Sequence, residues 1–578
     1  MKMQTTQRAA LSLLCIVFFL SFSPSQTLSQ QAPTFPLCSR QDWAALLGFK
    51  SSISEDTSNT LSTWTGDNCC NWKGVHCDLL TGAVFGLKIH CSGSGEYMRG
   101  TLSSTVADLQ SLKVLELVGL KRLTGTVPRL TRLTQLEQLV LKNNNLGGQA
   151  PGGLHRLPLL KTLSLSRNRF TGRIPRSLGF IKSLQSLSLS HNHFTGSIPP
   201  TFKNLTSLTS LDLSHNKLSG LIPDFVERLR KLEKLDLSFN SLTGAIPSQI
   251  RKLGFLKTLS LNNNLLTGAI PRSLALLKKL ESLDLSFNTL SNSLPNSFKK
   301  GLPALKAIDV SYNKLSLGSI PSWILDGKLR EVNLAGCNIT GTIPTFSNPT
   351  LTAIDLSKNH LTGDVAELLA GMRNLESLKL SDNKLRGVVG KLPLPESLTV
   401  LDLHSNNIRG SLNLLNKAGK RLQVLDLSRN WIGGKFPELT VNSSLRELNV
   451  SSNRIKSVLP YYSLRKLHQL EKLDVSNNSI SGLMPWGLSF VETLKWMDFS
   501  NNRLRGPIPR RFGKLKNLQY ASFRKNSLCG RLPGGVFFEK LLPKYYANNL
   551  CLCGKPLKPC KFPYTRGGRK IEMAALKS

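Results

Sequence analysis

Acidic residues are scarce in this chain of 578 residues, where 35 Asp and Glu stand against 75 Lys and Arg, a formal net charge of +40. Such an excess is typical of proteins that bind a polyanion, which can be nucleic acid, an acidic membrane or an acidic polysaccharide. Charged residues make up 19% and hydrophobic residues 40% of the chain, which excludes a disordered protein. The length indicates several domains or a repeat array.

Long apolar runs are missing after the first 22 residues. Lys2 and Arg8 precede an apolar segment from Leu11 to Phe22, so residues 1–29 are predicted to be a secretory signal peptide. No later segment supplies the roughly 20 apolar residues of a membrane span. The basic tail at residues 563–578 has no lipid-anchor signature. We therefore expect an exported protein with no membrane span and no nucleic-acid partner.

Cysteine is almost absent from the middle of the chain, where Cys337 stands alone. The remaining cysteines outside the signal peptide lie near the two ends: Cys38, Cys69, Cys70, Cys77, Cys91, Cys529, Cys551, Cys553 and Cys560. Disulfides are needed where a fold cannot bury its own ends, so this distribution indicates capped termini around a self-supporting centre. We expect the terminal cysteines to be oxidised and Cys337 to be a free, buried thiol.

Catalytic motifs are absent too. The chain contains no HExxH, GxSxG, GxxxxGK[ST] or GxGxxG sequence, which excludes the common metalloprotease, hydrolase and nucleotide-binding signatures. His191 and His215 lie one repeat apart, but the sequence implies no third ligand or carboxylate partner, so they are interpreted as surface residues. We expect no enzyme activity, no cofactor and no metal.

A repeat of the form LxxLxLxxNxLxGxIP fills most of the chain. One copy has Leu208, Leu211, Leu213, Asn216, Leu218, Gly220, Ile222 and Pro223. The asparagine position, called the anchor below, recurs with a period of 22 to 25 residues. Its occupants are Asn144, Asn168, Asn192, Asn216, Asn240, Asn264, Asn288, Asn313, Cys337, Asn359, Asn383, Asn406, Asn430, Asn453, Asn478, Asn502 and Asn526.

The spacing predicts the shape of each unit. LxL is a short strand whose leucines point inward and whose alternate residues point outward. The anchor amide can both donate and accept hydrogen bonds to turn backbone, and the Gly-x-Ile-Pro segment turns the chain on the far side. One coil cannot bury its leucines alone, so coils must stack. The sequence predicts a solenoid of about 18 repeats of 24 residues, with a concave parallel β-sheet on the order of 85 Å long.

These motifs resemble the plant extracellular leucine-rich-repeat family, whose hallmark LTGxIP occurs here as FTGSIP, LTGAIP and ITGTIP. DWAALLGFK and CCNWKGVHC resemble its N-terminal cap, and NLCLCGKPLKPC resembles its C-terminal cap. The resemblance implies an α/β-type horseshoe or superhelix with a short 3-10 or irregular convex side. The implied organisation is a cap at 30–91, repeats at 92–533 and a C-terminal cap at 534–562. It also implies the pairs Cys38–Cys69 and Cys70–Cys77, and leaves the pairing of Cys91, Cys529, Cys551, Cys553 and Cys560 open.

The kinase-free members, which are polygalacturonase-inhibitor-like and DNA-damage-repair/toleration-type proteins, resemble this chain most. The chain departs from the inhibitors because it has more repeats. It departs from the steroid-binding receptors of the family because no irregular island interrupts its repeats.

The position just before the anchor, called the slot below, carries the most informative variation. Over successive repeats it is occupied by Arg167, His191, His215, Phe239, Asn263, Phe287 and Tyr312. Adjacent strands place these side chains about 5 Å apart, and exposed aromatics with Arg are common at interface hot spots. We predict a continuous ligand-binding stripe. The alternative is that LSFN is only a variant of the repeat and that its Phe packs on neighbours.

Charge follows the repeat in two ways. An acidic column lies between the strand leucines: Asp212, Asp236, Asp284, Asp309, Asp355, Asp402, Asp426, Asp474 and Asp498. It is interpreted either as consensus residues bonded to nearby hydroxyls or as a groove that attracts a basic peptide or loop. Basic pairs precede the strands, at 228–231, 251–252, 278–279, 299–300, 420–421 and 510–511. They indicate a basic flank, either solvated or bound to a pectin-like polyanion.

Five glycosylation sequons are present, at Asn204, Asn338, Asn442, Asn449 and Asn477. Asn449 and Asn477 map to the concave side, so glycans there would leave the earlier repeats open for ligand. The favoured function is recognition of a peptide or protein in the extracellular or wall space, as a receptor-like or inhibitor-like protein in defence or development. Its partner would be a membrane receptor kinase or a pectin-degrading enzyme. The alternative is a structural wall protein held to pectin.

Overall fold

The computed structural model describes residues 37–417, 421–440 and 443–560. The predicted signal peptide, the basic tail, Lys420 and Asn442 therefore lie outside the described residues. Within these ranges the chain winds into a continuous stack of coils, each built as the repeat spacing predicts. Leu211 and Leu213 of one coil are buried, while Asp212 between them is only half-buried.

A single long sheet lines the concave side. Its first two strands pair antiparallel, and every later pair is parallel, with one strand from each coil in register with the next. In chain order the strands are Val75–Cys77, Val84–His90, Val114–Val118, Gln138–Val140, Thr162–Ser164, Ser186–Ser188, Ser210–Asp212, Lys234–Asp236, Thr258–Ser260, Ser282–Asp284, Ala307–Asp309, Glu331–Asn333, Ala353–Asp355, Ser377–Lys379, Val400–Asp402, Val424–Asp426, Glu447–Asn449, Lys472–Asp474, Trp496–Asp498 and Tyr520–Ser522.

A second set of strands lies on the flank, mostly just after an anchor, and pairs in parallel after an antiparallel first pair. These strands are Ile53–Asp56, Met98–Thr101, Arg122–Thr124, Gly147–Gln149, Arg169–Arg173, His193–Gly196, Lys217–Leu221, Ser241–Gly244, Leu265–Ala269, Thr289–Asn292, Lys314–Leu315, Thr340–Thr342, His360–Thr362, Arg386–Val388, Asn407–Gly410, Trp431–Ile432, Ser481–Leu483, Arg503–Gly506, Ser527–Arg531 and Cys551–Cys553. The repeat sequence predicted only a turn here. The glycine instead adopts positive φ within the strand, as at Gly220 (φ 82°), and the proline ends the pairing.

Short helices form the convex side, mostly of the 3-10 type. The 3-10 helices are Leu61–Thr63, Cys69–Asn71, Ser104–Asp108, Leu154–Arg156, Arg176–Phe180, Pro200–Asn204, Asp224–Arg228, Ser248–Lys252, Arg272–Leu276, Val389–Lys391, Ser463–Lys466, Trp486–Phe490, Arg510–Lys514 and Pro543–Tyr545. The α-helices are Arg40–Ser51, Phe298–Gly301, Ser322–Leu325, Val365–Leu369, Leu414–Lys417 and Val536–Lys540. No helix of the described ranges is long and apolar enough to cross a membrane.

One hydrophobic core runs the length of the stack, from Cys38 in the N-terminal cap to Tyr546 near the other end. Because each coil contributes its strand leucines and its Ile-Pro isoleucine to the same column, neighbouring coils cover each other's apolar faces. The predicted leucine-rich-repeat solenoid is confirmed.

Disulfides close both ends. Cys38 bonds to Cys69 and Cys70 to Cys77, the pairs that the resemblance implies, and Cys529 bonds to Cys551 and Cys553 to Cys560. Cys91 is buried and unpaired, so the expectation that the terminal cysteines are all oxidised was wrong for this residue. It directly follows the strand Val84–His90, its backbone N–H bonds to Val118 of the next coil, and the four other early cysteines pair among themselves.

Candidate ligand-binding surface on the concave sheet

The anchor asparagines connect each coil to its neighbours. The Asn216 amide nitrogen donates to the carbonyl oxygens of Leu189, Leu213 and Ser214, each at 3.1 Å. Its amide oxygen accepts from the backbone N–H of Phe194 at 3.0 Å. Two coils are thus joined by one side chain, which fixes the turn that follows each concave strand.

Cys337 takes the place of one anchor. It is fully buried and unpaired, as predicted, and its thiol lies 3.4 Å from the carbonyl oxygen of Val310. Burial raises the pKa of this thiol to about 12. A thiol so rarely ionised is a poor nucleophile, in keeping with a structural role.

The slot residue has a left-handed backbone in every repeat. Its φ lies between 50° and 61° from Asn143 through Lys525. This conformation turns the slot carbonyl toward the preceding coil: the Phe239 oxygen accepts from the Asn216 backbone N–H at 3.1 Å. Bulky residues are rare in this region of backbone space, where a side chain costs roughly 1–2 kcal/mol. The repeat pattern identifies the slot but carries no signal for its strained backbone.

The structure brings the predicted stripe together as two stacks. The His191 and His215 rings stack at 4.0 Å, and His215 stacks on Phe239 at the same spacing. Phe287 and Tyr312 form the second stack at 4.4 Å. Asn263 lies between the stacks, and the exposed Arg167 precedes the first. The ring stacking is therefore interrupted at Asn263, and the predicted stripe contains two separate aromatic stacks.

The aromatic rings remain open to solvent. Phe239 is 42% and Phe287 48% exposed, and the Lys358 ammonium lies 5.3 Å from the centroid of the Tyr312 ring. Partial burial, together with the positive charges of His215 and Arg167, lowers the pKa of His191 from its ordinary 6.5. At neutral pH the His191 ring is therefore mostly uncharged and lies beside the charged Arg167.

The concave surface beside the stripe is polar and contains two shallow cavities. Under the first stack, a shallow cavity of about 430 Å³ is lined by serines, among them Ser164, Ser188 and Ser214, with Lys142 and Asp212. Beside the second stack, a cavity of about 320 Å³ is lined by small residues such as Ser282, Ala307 and Ala353, and by four carboxylates. These carboxylates belong to Asp284, Asp309, Glu331 and Asp355.

The acidic column has a structural function, as the first of its two interpretations proposed. The Asp212 carboxylate accepts from the backbone N–H and the hydroxyl of Ser214, at 3.1 and 2.7 Å. Asp236, Asp284, Asp309, Asp355 and Asp426 repeat this pair of bonds with the serine two residues on. Burial raises the pKa of Asp284, Asp309 and Asp474.

Apart from the pair at 420–421, which includes the undescribed Lys420, the basic pairs lie on or beside the convex helices. Arg251 and Lys252 end a 3-10 helix, and all four of Arg251, Lys252, Lys278 and Lys279 are exposed. Lys279 lies 4.1 Å from the centroid of the Phe255 ring. Among the described residues, none of the four forms an ion pair with a carboxylate.

The sequons differ in exposure. Asn338 is exposed and Asn204 is half-buried at the end of a convex helix. On the concave side Asn449 is half-buried and Asn477 is exposed. The Asn449 amide donates to Asp426 at 2.9 Å, and the Asn477 oxygen accepts from Asn501 at 2.6 Å.

Two concave features were not predicted from the sequence. Trp496 and Tyr520 stack at 4.7 Å in the first outward position of adjacent strands. His404 stands where most coils have serine and lies among Asp382, Asp402 and Asp426; its hydrogen bond to Asp402 raises its pKa. Both features could have been identified from the sequence, because in each case residues of adjacent coils depart from the repeat consensus.

Comparison with known proteins agrees with this geometry. The profile described as Leucine-rich repeat region matches residues 152–409, and Leucine rich repeat N-terminal domain matches residues 39–78. Further leucine-rich-repeat matches cover residues 421–442 and 443–504. The ectodomain of the Arabidopsis receptor kinase HAESA, in complex with an N-terminally extended IDA peptide hormone, is 28% identical with a TM-score of 0.61. The alignment covers 90% of this chain and 98% of that ectodomain.

The chain is a leucine-rich-repeat protein, similar to plant receptor ectodomains.

Other plant leucine-rich-repeat proteins match shorter segments. Receptor-like protein EIX2 of Solanum lycopersicum is 34% identical over 124 residues, which are 20% of this chain and 12% of EIX2. DNA damage-repair/toleration protein DRT100 of Arabidopsis thaliana is 34% identical over 121 residues, 19% of this chain and 32% of DRT100. The chain thus spans less than two thirds of these curated relatives. The family match at residues 39–78 includes the Cys70–Cys77 disulfide and Cys69, whose partner Cys38 lies one residue before the match.

Proposed function

We propose that this protein recognises an extended peptide, or an extended segment of a protein, in the extracellular space. The contact surface is the concave rim from Lys142 to Lys358, which contains the two aromatic stacks and the two shallow cavities. The stripe residues Arg167, His191, His215, Phe239, Asn263, Phe287 and Tyr312 would make the central contacts.

The observation that carries the proposal is the aromatic occupancy of a strained position. Other coils place Asn, Asp, Ser, Lys, Arg or Gly in the slot, and Asn and Gly tolerate the left-handed backbone better than Phe or Tyr. Stacking returns only about 0.5–1.5 kcal/mol, which at most offsets the strain of roughly 1–2 kcal/mol. Because the rings add no net stability and remain half-exposed, we infer that they serve as contacts for a ligand.

The chemistry of the rim favours an extended peptide over a rigid small molecule. Both cavities are shallow and each spans several coils, so a ligand must lie across several coils to bury appreciable area. The aromatic rings offer flat apolar contact, while serines and carboxylates offer hydrogen bonds and negative charge beside them. HAESA, similar along nearly its whole ectodomain, is in complex with a peptide hormone, which supports the same class of ligand here.

The finer identity of the partner is also a proposal. A membrane receptor kinase would use the peptide-loaded solenoid as part of a signalling complex, and a pectin-degrading enzyme would be bound as an inhibited target. In either case we propose a role in defence or development, at the cell surface or in the wall.

The test is capture of peptides and proteins from extracellular plant fluid at high salt, because salt screens nonspecific charge contacts. The double variant Phe239→Asn, Phe287→Asn should lose the captured partner. The matched control is Phe255→Asn, which removes a 51%-exposed Phe from the convex side. The proposal fails if the double variant and the wild-type chain capture the same partner equally well.

A second function is favoured by the exposed basic pairs on the convex side. They would hold the protein to a pectin-like polyanion, with or without a ligand on the concave rim. Reversing Arg251, Lys252, Lys278 and Lys279 to Glu should weaken co-sedimentation with pectin at low salt and leave peptide capture unchanged. Equal co-sedimentation of both forms would contradict this function.

A further inference from the structure

His404 and its neighbours break the repeat pattern at one point of the concave sheet. Most coils place serine two residues after the strand aspartate, as Ser428 does after Asp426. In the preceding coil histidine takes that place, and the slot one coil earlier holds Asp382. His404 lies beside the column aspartates Asp402 and Asp426, and Asp382 lies beside His404. The other coils share a consensus that serves as an internal reference. Two residues that depart from it in adjacent coils and lie next to each other therefore indicate a specific function at this point of the sheet.

The donor atoms around His404 lie close together. One ligand atom each from Asp402, His404 and Asp426 lie within 4.8 Å of one another. The Nδ1 atom of His404 is 2.8 Å from Asp402 Oδ1, and Nε2 is 3.4 Å from Asp382 Oδ2. The second distance is long for a hydrogen bond. Asp382 therefore faces the ring nitrogen that Asp402 leaves free, where a carboxylate can orient the imidazole while Nδ1 binds an ion.

The local charge also favours a cation. Three carboxylates surround one imidazole, and the side chain of His404 is 30% exposed, so an ion can enter from solvent. Lys379, which is in register with Asp402 on the neighbouring strand, has its ammonium 4.0 Å from Asp355. Asp402 and Asp426 are held in place by hydrogen bonds to the backbone N–H groups of His404 and Ser428, which positions both carboxylates before any ion arrives.

We propose that His404, through Nδ1, forms with Asp402 and Asp426 a binding site for one divalent transition-metal ion of the zinc type, while Asp382 of the preceding coil orients the imidazole from its Nε2 side. Imidazole together with carboxylate ligands suits Zn²⁺. The histidine favours it over Ca²⁺ and Mg²⁺, which take oxygen ligands. The site lies beyond Lys358 along the sheet and is independent of the proposed peptide surface.

The experiment is calorimetric titration of the full secreted chain, purified without a histidine tag, with Zn²⁺, and with Co²⁺ for its visible absorption. We expect one ion per chain. His404→Ser restores the consensus residue, so the fold should persist while binding falls by at least the roughly 10- to 100-fold typical of losing even a second-layer partner. Asp426→Asn should also weaken binding, and the column tolerates asparagine, as Asn333 and Asn449 show.

Two matched controls locate the ion. Asp309→Asn changes the same column in a coil that keeps its serine, and His215→Asn removes another concave histidine. Both should bind Zn²⁺ like the wild-type chain. The site is wrong if the wild-type chain takes up no Zn²⁺, if His404→Ser binds it undiminished, or if His215→Asn abolishes binding.

Discussion

Replacing Phe239 with asparagine should weaken ligand binding while leaving the stability of the fold almost unchanged. The substitution relieves the left-handed strain of roughly 1–2 kcal/mol that a bulky side chain carries. It also removes the stack on His215, worth about 0.5–1.5 kcal/mol, and part of the burial of a ring that is already 42% exposed. These effects nearly cancel, so we expect the free energy of unfolding to change by no more than about 1 kcal/mol.

A core residue provides the comparison. Phe194 is fully buried and stacks on Phe170 with ring centroids 6.2 Å apart, so Phe194→Ala should cost about 3–5 kcal/mol. Denaturant unfolding of the two variants beside the wild-type chain measures both values.

Peptide binding, in contrast to stability, should depend strongly on Phe239. For a peptide recovered with the wild-type chain, loss of an aromatic anchor should weaken binding by about 2 kcal/mol or more, roughly 30-fold in Kd. Titration of that peptide into Phe239→Asn and into the convex control Phe255→Asn measures the difference. If Phe239→Asn destabilises the chain as much as Phe194→Ala does, or binds the peptide normally, the ring is a packing residue and the reasoning fails.

Three further predictions concern other parts of the molecule. Cys337 should resist alkylation in the native chain, because a thiol with a pKa of about 12 is almost never ionised near neutral pH. Alkylation followed by mass spectrometry tests this, and labelling of Cys337 without denaturant would contradict it. The pKa of His191 is lowered in the folded chain, so protonation favours the unfolded state, and stability should fall as pH drops through its ordinary value of 6.5. His191→Asn should reduce that fall, and identical pH profiles would refute the assignment. Glycopeptide mapping should find glycans on Asn449 and Asn477; bare asparagines at both would remove the reason to place ligand in the earlier repeats.

Much of the fold follows from spacing alone. The LxL pairs, the anchor asparagines and the period near 24 residues dictate stacked coils, since no coil can bury its leucines by itself. Residues at equivalent positions of a solenoid become neighbours, so the same spacing predicts that His191, His215 and Phe239 lie side by side. The stripe could therefore be identified from the sequence.

Other properties depend on contacts between coils and could not be read from one repeat. The left-handed slot arises because its carbonyl bonds to the anchor N–H of the preceding coil. The flank strands were missed because glycine and proline suggested a turn, whereas stacked neighbours supply the pairing. Cys91 stays free because its potential partners are already joined to each other. The site at His404 combines three coils, and only a comparison of each coil with the others would have found it.

The left-handed slot has a consequence for how such a surface changes over evolutionary time. Its backbone shape is imposed by hydrogen bonds to the neighbouring coils and by the anchor, not by the residue that occupies it. Arginine, histidine, phenylalanine, tyrosine, lysine, aspartate and serine all occupy it in this one chain with the same φ to within a few degrees. A mutation there exchanges one exposed group for another and leaves the core untouched. The rim can therefore acquire a new specificity one coil at a time, while the coils that carry it stay the same.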